Sequence, residues 1–381
     1  MQPRPLSVLS FLDAPVVTGP ARGLIHLGRA LPPSVRLHVA ILRGRGAGPV
    51  PPLDTLSGGA LTVHTLDELG PFDPTLFVRA ARLARELKAR VLQSHSYKPH
   101  LLALATSKVL QIPWVGHHHG WTAENPKVKR YHQLDAWSLP KARRVVAVAQ
   151  SAADIVAREG VTPGNIVVIA NAVDARDLQS SLDREAARAA LGLSPEAYVG
   201  VVIGRLSHEK GQDVALDALA EARQQGAAVT LAFAGDGPDR EALEALARAR
   251  GLTDAVHFLG HQREVGRVYA AADLLVLPSR SEAMPNVLLE AMTLGVPVVS
   301  TRVGGVPEVA RDGVDALIVP SEDPSALAAA IVATVRDPEA RARRVAEAKA
   351  VTHARHDPAR RAERYLDLYE TLLKQPIARD R

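Results

Sequence analysis

Two stretches in the second half of the chain place cations, carboxylates and helix starts where a diphosphate and its sugar could be held. In GRLSHEKGQDVALDALA (204–220) an apolar run ends in Gly-Arg and a helical pattern begins near Asp213. A strand-to-helix loop of this kind presents unpaired backbone N–H groups and the positive end of a helix dipole to an anion. Arg205 adds a forked donor and Lys210 a mobile point charge, which together suit diphosphate oxygens. The spacing is not that of a Walker loop, because no Gly-Lys-Ser/Thr stands four residues after a glycine. A pair of solvated surface cations is the competing reading.

The second stretch, PSRSEAMPNVLLEAMTLGVPVVST (278–301), again reads as strand, loop and helix. Glu282 falls in the loop and Glu290 two turns into the helix, a spacing that lets both face one cleft. The backbone N–H groups of Ala283, Met284, Asn286 and Val287 open that helix and could hold phosphate oxygens, while a glutamate further along could accept hydrogen bonds from two ribose hydroxyls. A charge placed to satisfy the helix dipole would explain Glu282. It would not explain Glu290 in an apolar stretch.

In the first half, IPWVGHHHGWTAENPKVKRYHQLD (112–135) ends a strand in three histidines. Strand alternation puts His117 and His119 on one face and His118 on the other. No His-Glu-x-x-His helix accompanies them, so hydrogen bonding to a sugar hydroxyl or proton transfer is favoured over zinc, with a buried structural role as the rival. Clusters of Asp and Glu with metal-ligand spacing are absent from the sequence, so phosphate charge is expected to be met by Arg205, Lys210 and helix ends without a divalent cation. GDGPDR (235–240) has two glycines of a dinucleotide fingerprint, and a tight strand-to-helix turn accounts for them without a cofactor.

The elements that must position these residues alternate regularly. Near-continuous apolar runs at 7–11, 36–42, 90–94, 113–117, 144–149 and 165–170 form one series, and runs at 198–204, 229–235, 255–260, 273–278, 297–301 and 316–320 a second. Such runs mark strands covered on both faces, and Ala/Leu/Arg/Glu-rich stretches such as 75–89 and 239–251 supply the covering helices. Two doubly wound α/β domains follow. The polar stretch after Asn171 places the linker near 172–190, giving domains at 1–180 and 181–360, with a helix and tail at 361–381. The final helix carries Tyr365, Leu368, Tyr369 and Leu372 on one face and could cap either domain. The segment 46–59 reads as a loop from its Gly and Pro content.

Composition narrows the classes. A chain of 381 residues, 47% hydrophobic and 23% charged, is folded rather than disordered. No apolar run approaches the ~20 residues of a membrane span, and MQPRPLSVLSFLDAP lacks a cleavage site, so the start is expected to be mature chain and the protein cytoplasmic. With no cysteine, disulfides, thiolate-bound zinc and thiol nucleophiles are excluded. The net charge of +5 is uneven: residues 1–180 carry 21 Lys+Arg against 12 Asp+Glu, and the remainder 25 against 29. A basic first half suits an anionic partner.

At these residues the chain resembles the GT-B glycosyltransferases of family 4, over residues 7 to 373. The likeness rests on G-R-L-x2-E-K-G at 204–211, A-G-x-G-P at 234–238, F-L-G at 258–260, S-E-x2-P-N-V-L-L-E-A-M at 281–292 and G-G-V-P-E at 304–308, and more loosely on H-G-W-T at 119–122, R-V-V-A-V-A at 144–149 and N-A-V-D at 171–174. The resemblance implies two Rossmann-like domains facing each other across a cleft, the C-terminal helix crossing back to the first. Carried over, it assigns the donor diphosphate to Arg205 and Lys210, the ribose to Glu290, the transferred sugar to Glu282 and the N–H groups after it, and the sugar's C6 hydroxyl to His119. Gly19 would approach the phosphate from the first domain. The family's usual glycines are replaced by Ala283 and Ala172, and its first-loop Gly-Gly is reduced to Gly19-Pro20.

The family further implies retention at the anomeric carbon. The expected activity is metal-independent transfer of a hexose or N-acetylhexosamine from a nucleotide-diphosphate sugar, UDP before GDP, to a hydroxyl of a sugar, lipid-linked or phosphorylated acceptor in polysaccharide or glycoconjugate biosynthesis. A glycoside phosphorylase or sugar-phosphate synthase on the same fold is the enzymatic alternative, and a catalytically silent sugar-nucleotide binder the non-enzymatic one. His95, Tyr97, Lys98, Trp121, Lys127, Lys129 and Arg130 are candidates to line the acceptor side. The basic half is compatible with peripheral contact to an anionic membrane. Nucleic acid is disfavoured, since aromatic residues are 4% of the chain and no binding module is present.

Overall fold

A computed structural model describes residues 5–13, 19–44, 61–70, 73–120 and 126–375, with the side chains of 126–129 excepted. The chain divides into two compact units, Met1–Ala172 with Pro358–Arg381, and Val173–Asp357. The division falls before the residue 180 named from the sequence. Leu178 already belongs to the second unit, where its carbonyl oxygen would lie 2.4 Å from a Cβ placed on Gly266. The last helix, Pro358–Lys374, packs in the first unit.

The first unit is built on a seven-stranded parallel sheet in the order β3-β2-β1-β4-β5-β6-β7. Its strands are β1 Leu6–Leu12, β2 Val35–Arg43, β3 Leu61–Asp67, β4 Val91–His95, β5 Trp114–His118, β6 Arg144–Ala147 and β7 Ile166–Val168. One face packs against the helices Gly19–Ala30 and Pro358–Lys374 through Leu24, Leu27, Tyr365 and Tyr369. The other face buries Leu9, Phe11, Leu92 and Trp114 beneath the helices that contribute Leu76 and Leu102. The C-terminal helix buries Tyr365, Leu368, Tyr369 and Leu372, the stripe that its sequence spacing requires. It is tied in further by a 2.6 Å hydrogen bond from Gln93 Nε2 to the Tyr369 hydroxyl.

The second unit has a six-stranded parallel sheet in the order β10-β9-β8-β11-β12-β13. The strands are β8 Tyr198–Ile203, β9 Val229–Ala234, β10 Val256–Gly260, β11 Leu274–Leu277, β12 Val298–Thr301 and β13 Leu317–Val319. Its core joins Val202, Leu231, Phe233 and Val276 to Leu216 and Leu219 of the helix Gln212–Gln224 and Ile331 of the helix Pro324–Arg336. All twelve strands expected from continuous apolar runs are present. β3 is the addition: it is an edge strand, half exposed along LTVHTLD, so its residues need no continuous apolar character. The segment 46–59 lies outside the described residues.

Both sheets are doubly wound, and in each the strand order reverses at one point, between β1 and β4 in the first and between β8 and β11 in the second. Loops leaving neighbouring strands to opposite faces open a crevice there, at the C-terminal strand ends. The candidate residues come from the loops that leave these strands.

Candidate active site

In the second unit β8 runs out into Arg205 and a single turn, His208–Lys210, while β11 runs out into Pro278–Glu282. Lys210 Nζ donates to Glu282 Oε1 at 2.7 Å, and Ser279 Oγ donates to the same oxygen at 2.7 Å. The Glu282 side chain is 8% exposed and that of Lys210 28%, so the pair is held largely out of water and keeps more attraction than a surface ion pair. Its backbone is equally constrained. Gly304 has φ 48°, and a Cβ there would stand 1.5 Å from the Glu282 carbonyl oxygen. Only a glycine fits both the angle and the approach.

Arg280 braces the two loops against each other. Its guanidinium takes both oxygens of Asp213 at 2.8 Å, Glu322 at 3.1 Å and the His208 carbonyl at 2.8 Å, and the Asp213 contact raises its pKa. Neither Arg280 nor Asp213 stood out by spacing, because their partners are remote in sequence. The 235–240 turn needs glycine for packing, since a Cβ on Gly237 would meet the Leu206 carbonyl at 2.2 Å.

The helix Asn286–Leu294 starts after Pro285 without a side-chain cap, so its first N–H groups, including those of Asn286 and Val287, have no intrahelical acceptor. Asn286 Oδ1 is buried without a hydrogen-bond partner. Ala283 gives its carbonyl to Gly305 N at 2.9 Å, and Met284 is buried. Glu290, 3% exposed, accepts a 2.8 Å hydrogen bond from the Tyr269 hydroxyl. Tyr269 was missed in the sequence, where it reads as one apolar position of a short helix. Arg205 is exposed, and its carbonyl accepts from Gln212 Nε2 at 2.8 Å.

In the first unit a cavity of about 580 Å³ opens at the ends of β1, β4 and β5. His119 Nε2 lies 2.8 Å from His95 Nδ1, and His95 Nε2 lies 3.1 Å from Ser10 Oγ. The ring centroids of His95 and His117 are 4.2 Å apart and those of His95 and His119 5.1 Å. His117 has a fixed tautomer: its Nδ1–H donates to the Ser94 carbonyl at 3.3 Å, so Nε2 accepts from the Tyr365 hydroxyl at 3.1 Å. Burial, reinforced by neighbouring rings and Arg361, pushes His119 down to about 3 and His95 and His117 well below the usual histidine range. Burial likewise takes His100 down to about 3 and His118 to about 4. At neutral pH the cluster is a chain of uncharged imidazoles that can pass a proton, or hold one at a fixed nitrogen, without carrying charge. Ser96, between β4 and the helix Tyr97–Leu110, has φ 84°, a strained angle for a residue with a side chain and one that recurs at functional sites.

His95 and Tyr97, named for the acceptor side, line this cavity. Lys98 and Arg130 are not among the lining residues; Lys98 Nζ bonds both oxygens of Glu68, at 2.7 and 2.9 Å, and Arg130 is exposed. Trp121 and the side chains of Lys127 and Lys129 lie outside the described residues. Gly19 opens the helix Gly19–Ala30. Ala172 uses its carbonyl to hold His26 Nδ1 at 3.1 Å.

The family model for Glycosyltransferase Family 4 matches residues 17–177, and that for Glycosyl transferases group 1 matches 183–351. An alpha-D-kanosaminyltransferase of Streptomyces kanamyceticus is 30% identical over 313 residues, covering 76% of this chain and 79% of that protein. The chain belongs to glycosyltransferase family 4. As a member of that family it is a glycosyl-transferring enzyme. A D-inositol 3-phosphate glycosyltransferase of Mycolicibacterium gilvum is 37% identical over 191 residues, but the match spans 49% of this chain and 42% of that relative. HepE of Anabaena, solved with UDP and glucose, has the same fold, with a TM-score of 0.83 at 22% identity over 96% of this chain and 100% of that one. Among the described residues no helix is long and apolar enough to cross a membrane.

Proposed function

We propose that this family 4 enzyme transfers a hexose or N-acetylhexosamine from a UDP-sugar to an acceptor hydroxyl, with retention at the anomeric carbon and without a divalent metal. The observation that carries the reading is the Lys210–Glu282 pair, 2.7 Å apart where the loops after β8 and β11 meet at the reversal of strand order. The complex of the structural relative HepE with UDP and glucose supports the choice of donor. In this reading Arg205 and Lys210 bear the diphosphate, the N–H groups of Ala283, Met284, Asn286 and Val287 take further phosphate oxygens, and Glu290, oriented by Tyr269, takes the ribose hydroxyls.

The bond from the anomeric carbon to the diphosphate oxygen breaks, and that oxygen leaves with its electron pair. Arg205 and Lys210 stabilise the charge that develops on it, and Lys210, already held by Glu282, costs little reorganisation. The acceptor oxygen bonds to the same face of the anomeric carbon, and its proton leaves with the departing diphosphate. Glu282, holding Lys210 with one oxygen, faces the positive charge that grows on the sugar ring. His119, held uncharged near pH 7 by burial, can donate or accept at a sugar hydroxyl.

Turnover of UDP-, GDP- and ADP-sugars in the presence of EDTA, with the product's anomeric configuration read by NMR, tests this. The expected result is release of UDP and a product with the donor's configuration. An inverted product, or activity lost in EDTA and restored by Mg²⁺, contradicts it. We also propose that the basic first unit touches an anionic membrane surface. Counted over the two units, 26 Lys+Arg against 14 Asp+Glu leave the first at +12, and 20 against 27 leave the second at −7.

A further inference from the structure

Three residues spaced one turn apart on the helix Pro358–Lys374, Arg361, Tyr365 and Tyr369, climb one face of the first unit's sheet. Tyr369 meets Gln93 of β4 at 2.6 Å, and Tyr365 meets His117 of β5 at 3.1 Å, level with His95 at the end of β4. Arg361 stands one turn further, at the strand ends where the cavity opens, and its charge acts on His95, His117 and His119 in the cavity wall. It is 8% exposed. Its Nη1 donates to the Gly23 carbonyl at 2.9 Å, and a Cβ on Gly23 would stand 3.1 Å from Nη1 and 3.3 Å from Nη2. The guanidinium is therefore seated against the helix Gly19–Ala30, one turn from Pro20, which lines the cavity.

A guanidinium keeps its charge in a folded protein, and a charge this deeply buried is costly unless an opposite charge meets it. The neighbours that the structure gives Arg361 are neutral. They are a backbone carbonyl, the Tyr365 hydroxyl and ring, whose centroid is 5.4 Å from Cζ, and imidazoles held uncharged near pH 7 mainly by burial. Among the described residues no carboxylate pairs with it, and Nε is buried without a hydrogen-bond partner. Nε and Nη2 form the edge of a guanidinium that grips two oxygens of one anion side by side. With Nη1 anchored on Gly23, that edge is fixed in orientation, and an anion meeting it gains two charge-assisted hydrogen bonds at little ordering cost. The first turn of Gly19–Ala30 carries no acidic residue, so the positive end of its dipole adds to the same attraction.

We propose that Arg361 is the cation of an anion site in the first unit, beside the histidine cavity, and that the site takes the phosphate group of a bound ligand. A phosphate suits it better than a carboxylate: two oxygens meet the guanidinium edge and a third is left for an imidazole N–H of the cluster. The site is distinct from Arg205 and Lys210, which stand in the second unit, and it does not depend on the transferase reading. A sugar phosphate and a nucleotide diphosphate present the same chemistry to it.

Titration of the full chain with inorganic phosphate at constant ionic strength, read on the ring resonances of His95, His117 and His119 in histidine-labelled protein, tests it. Those resonances should move and saturate. Arg361→Met should need at least about tenfold more phosphate for the same shift, the size of a lost hydrogen bond to a charged group. Arg361→Lys should fall between, because an ammonium keeps the charge without the fork. Gly23→Ala, which sets a methyl group against Nη1, should weaken phosphate several-fold while its helix, relieved of a glycine, melts no earlier; it decides the matter if Arg361→Met does not fold. Competition by glucose 6-phosphate but not glucose places the phosphate on a sugar, and competition by UDP places it on a nucleotide. Histidine resonances that ignore phosphate, as they would if a carboxylate of the chain already held the guanidinium, overturn the proposal. So does an unchanged midpoint in folded Arg361→Met or in Gly23→Ala, and so does competition by neither glucose 6-phosphate nor UDP, which means an adventitious ion only. The transferase reading is judged apart, by turnover of sugar nucleotides.

Discussion

Tyr269 reaches Glu290 with its hydroxyl at 2.8 Å and is itself 3% exposed. Without it the buried carboxylate loses a donor that no water can easily replace, a loss of about 1–2 kcal/mol in stability. Tyr269→Phe should therefore raise the Michaelis constant for the sugar nucleotide several-fold while changing kcat much less, since the ribose contact exists in ground and transition states alike. Steady-state kinetics with varied donor decide it; an unchanged Michaelis constant removes Glu290 from the ribose. Glu290 was legible in the sequence because a charge in an apolar helix calls for a reason. Tyr269, Asp213 and Arg280 were not, because what they do depends on partners brought close by the fold alone.

At the scale of elements, the strands that end in the histidine cluster carry a stability signature. Buried His95, His100 and His117 are held below their ordinary pKa in the folded protein, and so are His118 and His119. Above the unfolded value of about 6.5 these groups are neutral in both states and add nothing. Below it the unfolded chain takes up protons that the folded chain refuses until pH 3–4, so stability must fall with pH through that window. Each group that stays neutral costs about 1.4 kcal/mol per pH unit below the unfolded value. Between pH 7.5 and 5, above the ordinary carboxylate range, the urea midpoint of the first unit's transition should drop, with proton uptake on unfolding. An unchanged or higher midpoint at pH 5 would mean that the cluster is charged or open to water.

The strands themselves were readable wherever both faces are covered, because continuous apolar runs have no other use in a soluble domain. β3 escaped because an edge strand with exposed positions shows no such run. The C-terminal helix announced its buried face, with Tyr365 and Tyr369 four apart, but not its destination, which is set by the Gln93–Tyr369 contact across the length of the chain.

Over the whole molecule, the charge separation between units is larger than the sequence halves suggested, because residues 173–180, with two Asp against one Arg, go to the second unit and residues 358–381, with 6 Lys+Arg against 4 Asp+Glu, go to the first. On that unit Trp137 is 54% exposed with the Lys141 ammonium 3.7 Å from its ring centroid, a pairing suited to a headgroup layer. Co-sedimentation with vesicles rich in anionic lipid should be measurable at low salt and largely lost near 0.5 M salt, where the screening length is about 4 Å. Equal binding to neutral vesicles, or none to either, counts against the membrane contact.

The claim at the centre of the account is that the Lys210–Glu282 pair serves the departing diphosphate and the reacting sugar. The most direct measurement is kcat/KM for UDP-sugar turnover in Lys210→Ala and Glu282→Gln, beside wild type, with melting temperature and circular dichroism recorded on the same samples. Each variant should lose about 10²- to 10³-fold, the size of effect seen when one fixed charge-stabilising group is removed from an active site, while remaining folded. Wild-type turnover in either folded variant would contradict the account.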